Sequence, residues 1–158
     1  MRKLSLFCLL MSCIGLQSCK NFESNTDKVI EADGAKVVSV QCYKALYESD
    51  TIDLKINTLK NNKISGNMIM KIENMPIKTG EIEGEFHGDT LFVDYSFIQG
   101  TNEKKTRKNP MALLKKGEEL IMGNGKMETT LGQTYFIKNS PIDFDRVKYK
   151  FTSVDCVD

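Results

Sequence analysis

Gly80-Glu81-Ile82-Glu83-Gly84-Glu85-Phe86-His87-Gly88-Asp89-Thr90-Leu91-Phe92-Val93-Asp94-Tyr95-Ser96-Phe97 decides the fold. Ile82, Gly84 and Phe86 alternate with three glutamates; beyond Gly88-Asp89, Leu91, Val93, Tyr95 and Phe97 alternate with Phe92, Asp94 and Ser96. Period-two alternation is the mark of a strand with one buried face. Both residues of Gly88-Asp89 tolerate positive φ, which suits a two-residue hairpin.

The same rhythm extends in both directions. Ile52, Leu54 and Ile56 alternate with Asp53, Lys55 and Asn57, and Met68, Met70 and Ile72 with Asn67, Ile69 and Lys71. Turn residues punctuate the runs at Asn61-Asn62, Asn74-Met75-Pro76, Gly100-Thr101-Asn102, Lys116-Gly117 and Asn139-Ser140-Pro141. The spacing predicts eight to ten strands, at about 36–48, 51–60, 63–72, 78–87, 90–99, 103–115, 119–126, 131–138 and 147–156, with one short helical turn near Ile142 to Arg146. An all-β, antiparallel up-and-down barrel, lipocalin-like, follows, because closure removes exposed edges. A two-sheet β-sandwich is the alternative.

The 158 residues carry 22 Lys+Arg against 21 Asp+Glu, so no electrostatic field draws nucleic acid to the chain. One histidine and 27% charged residues argue against a His-rich metal site and against disorder.

The first residues state an address. Arg2 and Lys3 precede a thirteen-residue apolar run, Leu4 to Leu16, and then Gln17-Ser18-Cys19. The run falls short of the roughly 20 residues a spanning helix needs and reads as a signal peptide over 1–18. Leu16-Gln17-Ser18-Cys19 resembles the bacterial lipobox, whose cysteine is acylated before cleavage. Residues 19–35 are then a lipidated N-terminus and polar tether, and 36–158 the β-barrel domain. Cleavage removes Arg2 and Lys3 and leaves 20 of the 22 basic side chains against 21 acidic ones, so the expected anchor is lipid and not a basic patch. Lys20 after the lipidated cysteine weakly favours the outer membrane.

Once Cys8 and Cys13 are cleaved off and Cys19 is acylated, Cys42 and Cys156 remain in an oxidising envelope, where a disulfide is expected. A bridge over that separation stabilises a fold by roughly 4–5 kcal/mol in the chain-entropy model and makes the first and last elements neighbours.

Several residues resemble an uncharacterised group of small Gram-negative bacterial lipoproteins: Cys42-Tyr43, Ser65-Gly66, the spaced Gly80, Gly84 and Gly88, Asp94-Tyr95-Ser96-Phe97, Gly100, Arg107, Gly123, Gly125 and Cys156. Other members carry a Lys-Asp pair and a glutamate where this chain has Glu73-Asn74 and Gln99. The resemblance implies an envelope address and a barrel domain, and it brings no activity with it. In architecture alone the chain is similar to lipocalin-type carriers and to envelope-stress lipoproteins, whose CxxC motif is absent here.

Catalytic chemistry is thin. His87 is the only imidazole a Ser-His-Asp or Cys-His relay would have, and it reads as an exposed strand-end residue. No spacing singles out two carboxylates as a glycosidase pair. Gly80, Gly84 and Gly88 sit in a strand context, where glycine marks close backbone approach and not a phosphate loop; Gly123-Asn124-Gly125 reads as a bulge or bend. Met68, Met70, Met122 and Met127 read as core filling and not as a Cu(I) site. Lys104, Lys105, Arg107, Lys108, Lys115 and Lys116 read as a solvated edge strand, or as a contact for anionic lipid. No enzyme, cofactor or metal is expected.

The expected function is a membrane-anchored binding module for a small amphiphile or partner protein, the alternative being a structural or interaction lipoprotein with a filled barrel. Alternation places Tyr95 inside. Arg107 shares the inward parity unless Pro110 bulges the strand, so Tyr95 and Arg107 are the candidate pocket residues, with Glu103 an internal partner for the guanidinium.

Overall fold

A computed structural model describes residues 35–101 and 105–157 of the chain. Ten strands follow one another: β1 (Val37–Tyr47), β2 (Asp50–Leu59), β3 (Lys63–Lys71), β4 (Lys78–His87), β5 (Thr90–Gln99), β6 (Arg107–Lys116), β7 (Glu119–Met122), β8 (Met127–Thr130), β9 (Gln133–Phe136) and β10 (Lys150–Val154). Eight of them close an antiparallel barrel in the order β1-β10-β7-β6-β5-β4-β3-β2, while β8 and β9 form a separate two-stranded sheet. Closure decides against the sandwich.

The hairpins between β1 and β6 follow from alternation and turn chemistry. Gly88 takes a φ of +61° and Asp89 does not, the type II′ pattern that matches strand twist. Asn62 sits at +63°, and the Asn61 side chain accepts the Lys63 N–H at 3.1 Å. β1 meets β10 through Cys42↔Val154 to Ala45↔Phe151, and the Cys42–Cys156 disulfide, with Cα atoms 5.2 Å apart, fastens that closing pair.

The second half of the chain departs from expectation in five places, the plainest being the strand read at 147–156, which is confined to Lys150–Val154. The strand read at 119–126 stops at Met122, and Asn124 makes only an isolated bridge to Asp143. The strand read at 131–138 is a hairpin instead: Leu131 and Gly132, at φ +52° and +80°, form the turn between β8 and β9. An apolar leucine in a left-handed turn position is what disguised it. The helical turn at 142–146 is absent; Asp143 Oδ1 accepts the N–H groups of Asp145 and Arg146 at 2.9 and 3.1 Å, a side-chain turn that competes with a helix. The strand read from 103 begins at Arg107.

The lumen is filled. Tyr95, Phe151, Ile52, Met68, Ile82, Leu91, Leu113 and Leu120 are all less than 2% exposed, each side chain contributing about 1.5–3 kcal/mol of burial. On β4 the wall is bare by necessity: a Cβ at Gly80 would overlap the Ser96 carbonyl oxygen, and one at Gly84 that of Phe92. These glycines permit close strand approach, as their strand context predicts.

The two barrel ends differ. Where β1 begins, the strands are joined by the short turns at Lys60–Asn62, Gly88-Asp89 and Gly117-Glu118. At the opposite end, where β1 finishes, only Glu48-Ser49 is tight, and the connections across 72–77, 100–106 and 123–149 are longer.

Candidate functional site

The barrel wall has a seam at that second end. β7 has four residues and pairs only with the later half of β6, from Leu113↔Met122 to Lys116↔Glu119. Past Leu113 the Gly123 N–H reaches the Ala112 carbonyl at 2.9 Å, and there the chain turns away. The start of β6 is flanked by β9, which packs beside it but belongs to the other sheet. Gly123 and Gly125 make this cover thin. A Cβ on Gly123 would overlap Ile142 and Phe144, and one on Gly125 the Phe136 ring.

Beneath the seam is a cavity of about 250 Å³. Met70, Met111, Met122 and Met127 line it together with Phe97 and Phe136. Thioethers are apolar, polarisable and unbranched, so a methionine wall adapts to the shape of what it holds. Asn109 and Asn124 supply polar edges, and Lys78 is the one charged side chain in the lining.

Tyr95 also lines the cavity, as its parity predicts, but its hydroxyl is already engaged. It is 1% exposed and donates to the Met68 carbonyl at 3.0 Å, while its ring stacks on Phe97 at 4.8 Å. Burial pushes the phenol well above its ordinary pKa, so Tyr95 is a neutral donor spent inside the wall.

Arg107 is placed differently. The β5–β6 register runs unbroken past Pro110, so no bulge reverses the alternation and Phe97 faces Arg107. Arg107 nonetheless opens β6 at the rim, where it is exposed and donates to Gln99 Oε1 at 3.0 Å. It does not line the cavity. Glu103, its expected internal partner, lies outside the described residues, as do Cys19 and the 1–18 segment.

Register joins Lys78 to this corner: it is opposite Met70 on one side and Gln99 on the other. Its Nζ lies 5.4 Å from the Phe97 ring centroid, within cation–π range. Sequence reasoning missed Lys78, Met111 and Phe136. The signal for the seam was the apolar Leu120-Ile121-Met122 run cut short by Gly123-Asn124-Gly125.

Elsewhere the chemistry is sparse. His87 is exposed, 3.2 Å from Glu85 Oε1 and edge-on to Phe92, at the end of β4. Lys108 pairs with Asp94 at 2.9 Å, and Lys115 and Lys116 are exposed. A wider hollow of about 580 Å³ is bordered by Glu83, Glu85, Asp94 and Phe92, which alternation puts on the outer face. Among the described residues no three His, Cys, Asp or Glu side chains converge to hold a metal.

Comparison with family models, with curated proteins and with solved structures finds no match for this chain. Its chemistry is therefore read from its own residues.

Proposed function

We propose that this chain is a membrane-anchored envelope lipoprotein, held by acylated Cys19 at the outer membrane, whose barrel is a non-enzymatic binding module for a small amphiphile. The observation that supports binding is the methionine-lined cavity under the β6–β7 seam. Protein interiors are close-packed, and this is a hollow with four thioethers on its walls and a lysine at its edge. At about 250 Å³ it falls below the roughly 300–1,000 Å³ of sites that enclose drug-sized ligands. A single short chain fits such a space, and a diacyl lipid does not. A lipocalin-type ligand in the lumen is disfavoured by the packed core around Tyr95 and Phe151. The same packing favours a second reading, in which the barrel is a filled platform for an envelope protein.

Native mass spectrometry of the protein released from its own envelope tests the first reading against the second. A retained small molecule that is lost in Met111→Gln is the expected result. The mass of the acylated chain alone in both would favour the filled platform.

A further inference from the structure

We infer that the ligand of the seam carries an anionic headgroup, a carboxylate or a phosphate, seated between Lys78 and Arg107 with its chain laid on the methionines. The inference rests on the seam being a ligand site, and it names the chemistry of what enters.

Charge at the mouth is one-sided. Of the residues lining the cavity, only Lys78 carries a formal charge. No carboxylate forms an ion pair with it among the described residues; its ammonium rests over the Phe97 ring instead. Directly across the β5–β6 pair from Phe97 stands Arg107, also without an ion-pair partner among the described residues and bonded to the neutral amide of Gln99. Gln99 faces Lys78 across the β4–β5 pair. Two cations thus flank one aromatic side chain, and the one amide bonded to Arg107 can yield its contact. By contrast two aspartates of this barrel end are engaged elsewhere: Asp50 accepts from Tyr149 and from the Glu73 N–H, and Asp143 from the Asp145 N–H and from Arg146. An arginine fork and a lysine point charge together suit a planar carboxylate or a phosphate. A neutral head would forgo these charge-assisted contacts, and a cationic one would meet like charge.

The test uses the full chain, refolded with its disulfide formed and labelled at the methionine methyl carbons. Decanoate, decyl phosphate, 1-decanol and decyltrimethylammonium are each titrated below micelle formation. The methyl resonances of Met70, Met111, Met122 and Met127 report the seam; buried Met68 and exposed Met75 serve as controls. The expected result is saturable shifts at the seam methyls alone, with one of the two anions binding about tenfold or more tighter than decanol and the cation weakest. The tighter anion distinguishes carboxylate from phosphate. Lys78→Gln and Arg107→Gln should each bring that anion towards decanol while leaving decanol unchanged. Equal affinity for anion, alcohol and cation would overturn the headgroup inference and leave the seam a chain-binding site. Seam methyls that no amphiphile moves would overturn the binding reading itself.

Discussion

The Tyr149 hydroxyl donates to the Asp50 carboxylate at 2.6 Å, across 99 residues of sequence. The other carboxylate oxygen accepts the Glu73 N–H at 2.7 Å. One side chain at the start of β2 therefore ties down the β3–β4 connection and the approach to β10. The Tyr47 ring stands edge-on to Tyr149 at 6.1 Å, and Lys148 caps Tyr47 at 5.4 Å. The hydrogen bond from Tyr149, then that from Glu73, holds the Asp50 carboxyl below the usual carboxylate range. Burial, and after it the Asp50 bond, pushes the Tyr149 phenol up to about 12.

Stability should depend on pH through this pair in a direction the shifts dictate. Asp50 has a lowered folded pKa, so its contribution is present above the unfolded value of about 3.9 and is lost as pH falls through the folded value. Tyr149 has a raised one, so its contribution is present below about 10 and is lost as pH climbs towards about 12. Urea unfolding of Tyr149→Phe against the parent should show the parent more stable at pH 6, with the gap narrowing below pH 4 and above pH 10. A gap independent of pH would mean that the pair carries no linkage.

Removing the clasp should cost most of what a long-range bridge contributes. Cys42 and Cys156 are 114 residues apart, for which the chain-entropy model assigns roughly 4–5 kcal/mol. Denaturation of Cys42→Ser/Cys156→Ser should lose about that amount, and reduction of the parent should reproduce it. Unchanged stability in both would mean that strand pairing alone holds β1 to β10.

Tyr95→Phe separates a wall residue from a ligand residue. Its hydroxyl bonds the Met68 carbonyl, so the variant leaves a buried acceptor bare and should lose about 1–2 kcal/mol in urea. Affinity for amphiphile, followed at the seam methyls, should stay within about twofold of the parent. A selective loss of affinity would show that the hydroxyl turns to the ligand.

Lipidation at Cys19 is checked by feeding cells an alkyne fatty acid and developing the purified protein with an azide dye. The parent should label and Cys19→Ser should not. Label in the variant would move the anchor to another residue.

What could be read in advance depended on how long each pattern ran. β1 to β5 are nine to eleven residues each, β2 to β5 with sustained alternation, and their ends fall within a residue or so of the spacing. β7, β8 and β9 have four residues each, too few for a period to declare itself. Closure was legible because two cysteines remained to be paired. The site was legible only in part. Parity put Tyr95 and Arg107 on one face, but parity gives no depth along a strand. Tyr95 lies mid-strand and is sealed; Arg107 is the first residue of its strand and reaches solvent. Lys78 meets Met70 through the β3–β4 hairpin, but its meeting with Met111, Met122 and Met127 depends on the curvature of the whole sheet, which no local pattern encodes.

The pairing of β1 with β10 also sets a timetable. Each hairpin from β1 to β6 joins strands adjacent in the chain, contacts that form quickly because little loop entropy is spent. The first strand made, by contrast, gains its second neighbour only when the last one exists. Until Lys150 to Val154 are in place, β1 and β7 each present an unpaired ladder of backbone donors and acceptors, the surface on which sheets aggregate. Lys150 to Val154 thus act as a completion check: a chain cut short of them is left as an open sheet, and newly made protein is most exposed to misassembly in the interval before β10 arrives.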